Sequence, residues 1–197
     1  MQITKDVNAR AINMTHDHHQ DKISRIEVVK HDPKWAHMYE DEAQKILGVL
    51  GESAVAIHHM GSTSIPGVQA KPIIDILVEV DKLENIEKFD QELEGLDYLA
   101  MGEYGITGRR FYVKPSGTER THQIHAFQVG HIEIVRLLDL RDYLRKHPME
   151  AEAYGRLKAD LAKKFEEDID SYVQGKGEFI QDIYRKAAEW RKEQNQK

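Results

Sequence analysis

The run Gly61-Ser62-Thr63-Ser64-Ile65-Pro66-Gly67-Val68-Gln69-Ala70-Lys71-Pro72-Ile73-Ile74-Asp75-Ile76-Leu77-Val78 constrains this chain more than any other segment. A turn of small residues leads through a short linker into an apolar strand that carries one acid. Gly61 and Ser62 let backbone N–H groups approach an anion closely. The hydroxyls of Ser62, Thr63 and Ser64 suit phosphate oxygens or the cap of a helix beginning near Ile65-Pro66, two roles that use the same helix end. Lys71, just before the strand, is placed to neutralise phosphate charge, with a solvated lysine as the plainer reading. Asp75 stands alone among aliphatic neighbours, where an ionised carboxylate is costly unless it is paired or metal-bound. It is either a ligand for a divalent cation or an acceptor for N–H groups of the Gly61 turn. The segment is neither a Walker A loop, lacking Gly-Lys-Ser/Thr, nor a nucleophile elbow, lacking Gly-x-Ser-x-Gly.

Composition narrows the classes open to the chain. At 197 residues with 40% apolar content it is long enough for one well-buried core. The absence of cysteine excludes disulfides, thiolate nucleophiles and cysteine-ligated zinc. A net charge of −6, from 34 acids and 28 bases, argues against capture of extended nucleic acid. No apolar run reaches membrane-span length and no basic-then-apolar leader opens the chain, so no membrane association and a cytoplasmic location are expected. The bases Arg109, Arg110, Lys114 and Arg120 read mainly as a solvated strand face.

Residues 1–22 are polar and aperiodic and predict a loose N-terminal arm, whose His16, His18 and His19 would bind metal only incidentally. Residues 23–197 are expected to form a single domain. Its pattern predicts a short strand at 25–30, a helix at 34–50 entered through Asp32-Pro33, and strands at 54–57 and 72–80. A helix at 82–94 follows, then strands near 97–103, 109–114 and 121–129, separated by Gly105, Gly108 and Pro115-Ser116-Gly117. Helical periodicity fills 132–197, with Pro148 and the Gly175/Gly177 pair as interruptions. The fold class is therefore α+β: a mixed sheet with flanking helices and a C-terminal helical extension.

The wording HHMGSTSIPGVQAKPIIDILVEV, together with Val28 to Trp35, Thr121 to Phe127, Leu140 to Pro148 and Tyr172 to Ile180, resembles the GrpB family, whose members are related to the nucleotidyltransferase fold. The resemblance covers roughly residues 25 to 190. It implies a nucleotide triphosphate or CoA-like small molecule as ligand, the latter because GrpB-like segments occur fused to dephospho-CoA kinase. Asp75 would be the principal Mg²⁺ ligand, the Gly61, Ser62, Thr63 and Ser64 turn and Lys71 would hold phosphates, and Arg141 and Lys176, in family-like motifs, would supply further cations. Nucleotidyl transfer is the activity implied. Active members of the fold carry a second acid two residues on, where this chain has Leu77, which favours a ligand-binding member without transfer activity. Glu79, on the same strand face, is about 13 Å from Asp75 along the strand, too far to share one ion directly. His122 and His125 stand where a third acid would be expected; they point to opposite faces, and His125 is the candidate for the site. His58 and His59 also diverge, leaving one of them to reach the turn.

Overall fold

A computed structural model describes residues 25–117 and 119–196; the N-terminal arm and its histidines lie outside the described residues. Helix α1 (Lys34–Leu50) starts as its Asp-Pro signal requires, the Asp32 carboxylate accepting the Lys34 N–H at 2.9 Å. Trp35, Ala43, Ile46 and Leu50 form its buried stripe, and Gly51, at φ 52°, turns the chain out of the helix. Strand β1 (Ala54–Met60) then leads into a single 3₁₀ turn at Ser62–Ser64, and β2 (Ile74–Val80) follows. The helix expected from Ile65 does not form, because Ile65 is extended (φ −107°, ψ 112°). The segment beyond it is pinned instead by a lone antiparallel bridge between Ala70 and Val29, and that bridge is all that survives of the strand expected at 25–30.

The crossover from β2 back to the sheet holds two short helices, α2 (Leu83–Glu87) and α3 (Asp90–Glu94), rather than one at 82–94. The second is anchored separately on the sheet, the Asp90 carboxylate accepting the Tyr112 hydroxyl at 2.8 Å. Strands β3 (Leu99–Ala100), β4 (Arg109–Ser116) and β5 (Glu119–Gln128) complete a five-stranded sheet of order β1-β2-β5-β4-β3. β3 is far shorter than 97–103, since Gly102, Tyr104, Gly105 and Gly108 all take positive φ and lead the chain away from the sheet. Among the described strands only β2 and β5 run parallel, with Asp75 opposite Gln123 and Leu77 opposite His125, and the other strand pairings are antiparallel.

Alternation along the strands gives the sheet two unlike faces. One carries Ile74, Ile76, Val78, Val80, Ile124 and Ala126 against α1, α2 and α3, and is the main core. The other carries Asp75, Leu77, His125 and Phe127. Its apolar half, Met60, Leu77 and Phe127, is covered by Ile134 of helix α4 (Ile132–Lys146). Helices α5 (Pro148–Lys164), α6 (Ile169–Gly175) and α7 (Gly177–Gln194) follow, the last two separated at Lys176 as the glycine pair predicts. Leu140, Tyr143, Leu144, Ala151, Tyr154, Ile183 and Ala187 of these helices pack on Ile65 and Val68. The helical extension thus closes over the segment after the Gly61 turn. Among the described residues no helix is long and apolar enough to cross a membrane.

Leu77 has 0% of its surface exposed, so an acid there would be buried among apolar side chains. Leu77→Asp is expected to lower the unfolding free energy by about 3–5 kcal/mol at neutral pH, read from urea denaturation followed by circular dichroism.

Candidate functional site

Gly61 and Asp75 meet at the end of the sheet where β1 and β2 pair, Met60 lying opposite Asp75. Gly61 has φ 69°, and a Cβ built on it would stand 2.3 Å from Asp75 Oδ2, so the carboxylate is set directly against the backbone of the turn. Two of the three turn hydroxyls are engaged internally. Ser64 donates to the Gly61 carbonyl at 2.6 Å and Thr63 donates to the Ile73 carbonyl at 3.1 Å. Since the Thr63 proton is committed, its oxygen accepts from His59 Nε2 at 3.1 Å, which fixes the Nε2–H tautomer of that ring. Burial pushes His59 down to about 4, so it supports the turn as a neutral group stacked on Tyr39. Ser62 differs in facing the Tyr154 hydroxyl of α5.

Asp75 Oδ1 lies 3.7 Å from His125 Nε2, beyond hydrogen-bond length. The Arg109 guanidinium, a donor only, reaches His125 Nδ1 at 3.3 Å and also donates to the Glu103 and Tyr104 carbonyls. His125 Nδ1 is therefore an acceptor, and the neutral ring turns its Nε2–H toward Asp75. Burial lowers the His125 pKa, with Asp75 acting in the opposite sense. A ring in this state donates toward Asp75 rather than taking a proton there.

Lysines from three separate elements also lie within electrostatic reach of Asp75. Lys71 enters from the linker, Lys158 from α5 and Lys176 from the junction of α6 and α7. Lys71 Nζ and Lys176 Nζ lie 5.3 and 4.9 Å from the centroid of the same Tyr172 ring, while Lys158 Nζ lies 4.4 Å from that of Tyr154. Lys158 is 3% exposed and its buried Nζ has no hydrogen-bond partner. Burial, and then Lys176, bring Lys158 down to about 7; burial, and then Lys71, bring Lys176 down to about 8, with Asp75 opposing in both.

The expected site residues thus divide. Gly61, Ser62, Lys71, Asp75, His125 and Lys176 come together. Thr63 and Ser64 build the turn from within. Arg141 is held by the His59 carbonyl at 3.1 Å and by Asp142 at 2.7 Å, bracing β1 against α4. His122 faces α1 and the buried Glu42, on the opposite side of the sheet from His125, and His58 binds Glu79 at 2.8 Å. Arg110 and Lys114 also point away, to Glu87 and Glu42. The sequence reading missed Lys158, Tyr154, Tyr172 and Arg145, whose guanidinium donates twice to the Ser64 carbonyl at 2.8 and 3.0 Å. A signal for Lys158 existed: it lies on the stripe Ala151, Tyr154, Gly155, Lys158, Ala162, where a buried helix face calls for an apolar residue.

The donor set does not suit Mg²⁺. A hard dication is held by several oxygens, and here one carboxylate stands among lysines. Among the described residues no three His, Asp or Glu side chains are grouped to hold one metal ion.

The family model described as GrpB protein matches residues 25–186. The UPF0157 protein YqkA of Bacillus subtilis is 42% identical over 171 residues, covering 87% of this chain and 50% of that protein, so this chain spans half the length of that relative. The crystal structure of the conserved protein GrpB from Enterococcus faecalis superposes with a TM-score of 0.78 at 40% identity, covering 82% of this chain and 96% of the other. A dephospho-CoA kinase of Mycolicibacterium paratuberculosis is 23% identical over 210 residues, covering 93% of this chain and 51% of that protein.

Two stability measurements check this geometry. Gly61→Ala is expected to lower the unfolding free energy by about 2 kcal/mol, through positive φ and the collision with Asp75. In a double-mutant cycle, Asp75→Ala should recover part of that loss. Lys158→Met should raise stability by about 1–3 kcal/mol at pH 7, since it removes a buried amine without a partner. The sign with pH follows from a folded-state pKa below the ordinary 10.5: the wild-type penalty is full below about pH 7 and fades toward pH 10.5. The advantage of the Met variant in chemical denaturation should shrink over that same window.

Proposed function

The chain belongs to the GrpB family, and from that membership and the geometry around Asp75 we propose that it binds a nucleotide triphosphate at the Gly61 turn without transferring a nucleotidyl group. The observation that carries this reading is the apposition of Gly61 and Asp75, with Ser62 and Lys71 on the rim. Gly61 brings no side chain of its own to the turn, and the lysines that offset the Asp75 carboxylate set against it supply the charge that a triphosphate needs. The absence of transfer follows from Leu77. The position two residues after Asp75 is filled by a core side chain, so a two-carboxylate metal site of the kind that drives in-line transfer has no second ligand there.

A CoA-like molecule is the second reading, favoured by the similarity to the mycobacterial dephospho-CoA kinase. It would present a diphosphate and an adenine nucleotide to the same turn. Fold and family likeness alone do not assign a ligand, and the two readings separate by titration.

Isothermal calorimetry with ATP, CTP, GTP, UTP and CoA, each with and without Mg²⁺, tests the proposal alongside amide chemical shifts of Gly61 and Ser62. Saturable binding of a triphosphate, with shifts at those two amides and no pyrophosphate release, is the expected result. Saturable binding of CoA alone would select the second reading. Binding of none of the five overturns both, and release of pyrophosphate from a bound triphosphate overturns the claim of no transfer.

A further inference from the structure

We propose that Lys71, Lys158 and Lys176 form a polyphosphate subsite that takes a diphosphate or triphosphate chain as the metal-free anion, with Asp75 acting as their counter-ion rather than as a metal ligand. The inference rests on the functional reading above only for the location of the ligand; the lysines stand on their own evidence.

The first observation is Lys158 itself. Buried polar atoms are satisfied in the great majority of cases, yet its Nζ is buried without a hydrogen-bond partner. It sits on a helix face otherwise made of Ala151, Tyr154, Gly155 and Ala162. A methionine or leucine would pack there without the desolvation cost. A lysine in such a place is accounted for when an anion completes its donor set.

The second observation is independent of the first. Lys71 and Lys176 reach the same Tyr172 ring from different elements. An ammonium held against an aromatic ring is positioned by a group that accepts no N–H hydrogen bond in the conventional sense, so its donors stay available to oxygen. Because the three amines are distributed over two rings, Tyr154 and Tyr172, they suit a chain of phosphoryl groups better than a single one.

Charge balance gives the site its sign. Among the described residues, the acids acting on the three lysines are Asp75, which acts on all of them, and Glu119, which acts on Lys71. The rings they lie against, Tyr154 and Tyr172, are neutral, as is Ser62 beside Tyr154. With all three lysines protonated, three positive charges meet two negative ones, and the surplus is what a polyanion would meet. A dication placed at Asp75 would instead be repelled by the same amines. Entry of a phosphate chain favours protonation of Lys158 and Lys176, so binding takes up protons near neutral pH and weakens as these amines lose their protons above it.

The test uses sodium pyrophosphate and tripolyphosphate as probes, titrated calorimetrically in EDTA at pH 7 into the full chain. Variants are Lys158→Met, Lys158→Gln, Lys176→Met, Asp75→Asn and the exposed control Lys34→Met, each checked for folding by circular dichroism. Saturable binding in EDTA is expected. It should be weakened tenfold or more by either Lys158 variant and by Lys176→Met, left unchanged by Lys34→Met, and weakened again between pH 7 and 9.5. Asp75→Asn should tighten it severalfold, the direction opposite to that of a lost metal ligand. The proposal is overturned if neither probe binds, if binding requires Mg²⁺, or if Asp75→Asn abolishes it. Nucleotide binding that persists in Lys158→Met and Lys176→Met would remove the subsite while leaving the functional reading intact. Lysine-dependent binding of the probes with no binding of nucleotides or CoA would do the reverse.

Discussion

The carboxylate of Asp75 occupies the space into which a side chain at Gly61 would project, and much of the site's geometry follows from that exclusion. It brings the end of β1 against the start of β2, so the turn between them cannot lift away to make room for a bulkier residue. The 3₁₀ turn at 62–64 is then fastened from both sides. His59 and Thr63 hold it to the Ile73 carbonyl, and Arg145 grips the Ser64 carbonyl from α4. A turn secured at this many points can present Ser62 and its own backbone to a ligand with little loss of conformational freedom on binding.

The two faces of the sheet handle buried charge differently. On the α1 side Glu42 is buried, which alone would raise its carboxyl, but hydrogen bonds from Lys114 and Lys45 outweigh that and hold it below the usual range. That acid is satisfied and belongs to the scaffold. On the Asp75 side the balance is reversed: amines outnumber acids and the Lys158 ammonium has no hydrogen-bond partner. A protein that satisfies one buried charge so fully and leaves another open has placed its unfavourable term where a ligand can relieve it.

Much of the scaffold was legible in the sequence because it depends on local signals. Asp32-Pro33 opens α1, alternating apolar residues mark β2 and β5, and Gly175 and Gly177 bracket the break before α7. The turn and Asp75 were legible as well, since a lone acid in an aliphatic strand demands an explanation. What could not be read were features set by distant packing. Ile65 looked like the beginning of a helix, but its side chain is taken into the cluster with Leu140 and Tyr143, and the chain there is extended. Arg141 looked like a phosphate ligand, yet a backbone carbonyl and a neighbouring acid 82 and one positions away engage it. The helical extension, read as part of the single domain, supplies two of the three lysines. Lys176 was read as a site cation from its motif, while Lys158 was missed although it conflicts with its helix stripe.

The single parallel pairing in the sheet has a kinetic consequence. β4 and β5 are neighbours in sequence, Ser116 pairing with Glu119, and can zip together locally, but β5 reaches β2 only after the whole intervening segment has been folded back. Asp75 and His125 are 50 positions apart, and Asp75 and Lys176 are twice as far. Contacts between residues this distant demand closure of long loops before they return any free energy, which places them late on the path from the unfolded chain. The binding end of this molecule is thus completed last, and destabilising the β4–β5 hairpin would delay the assembly of a site to which it contributes His125.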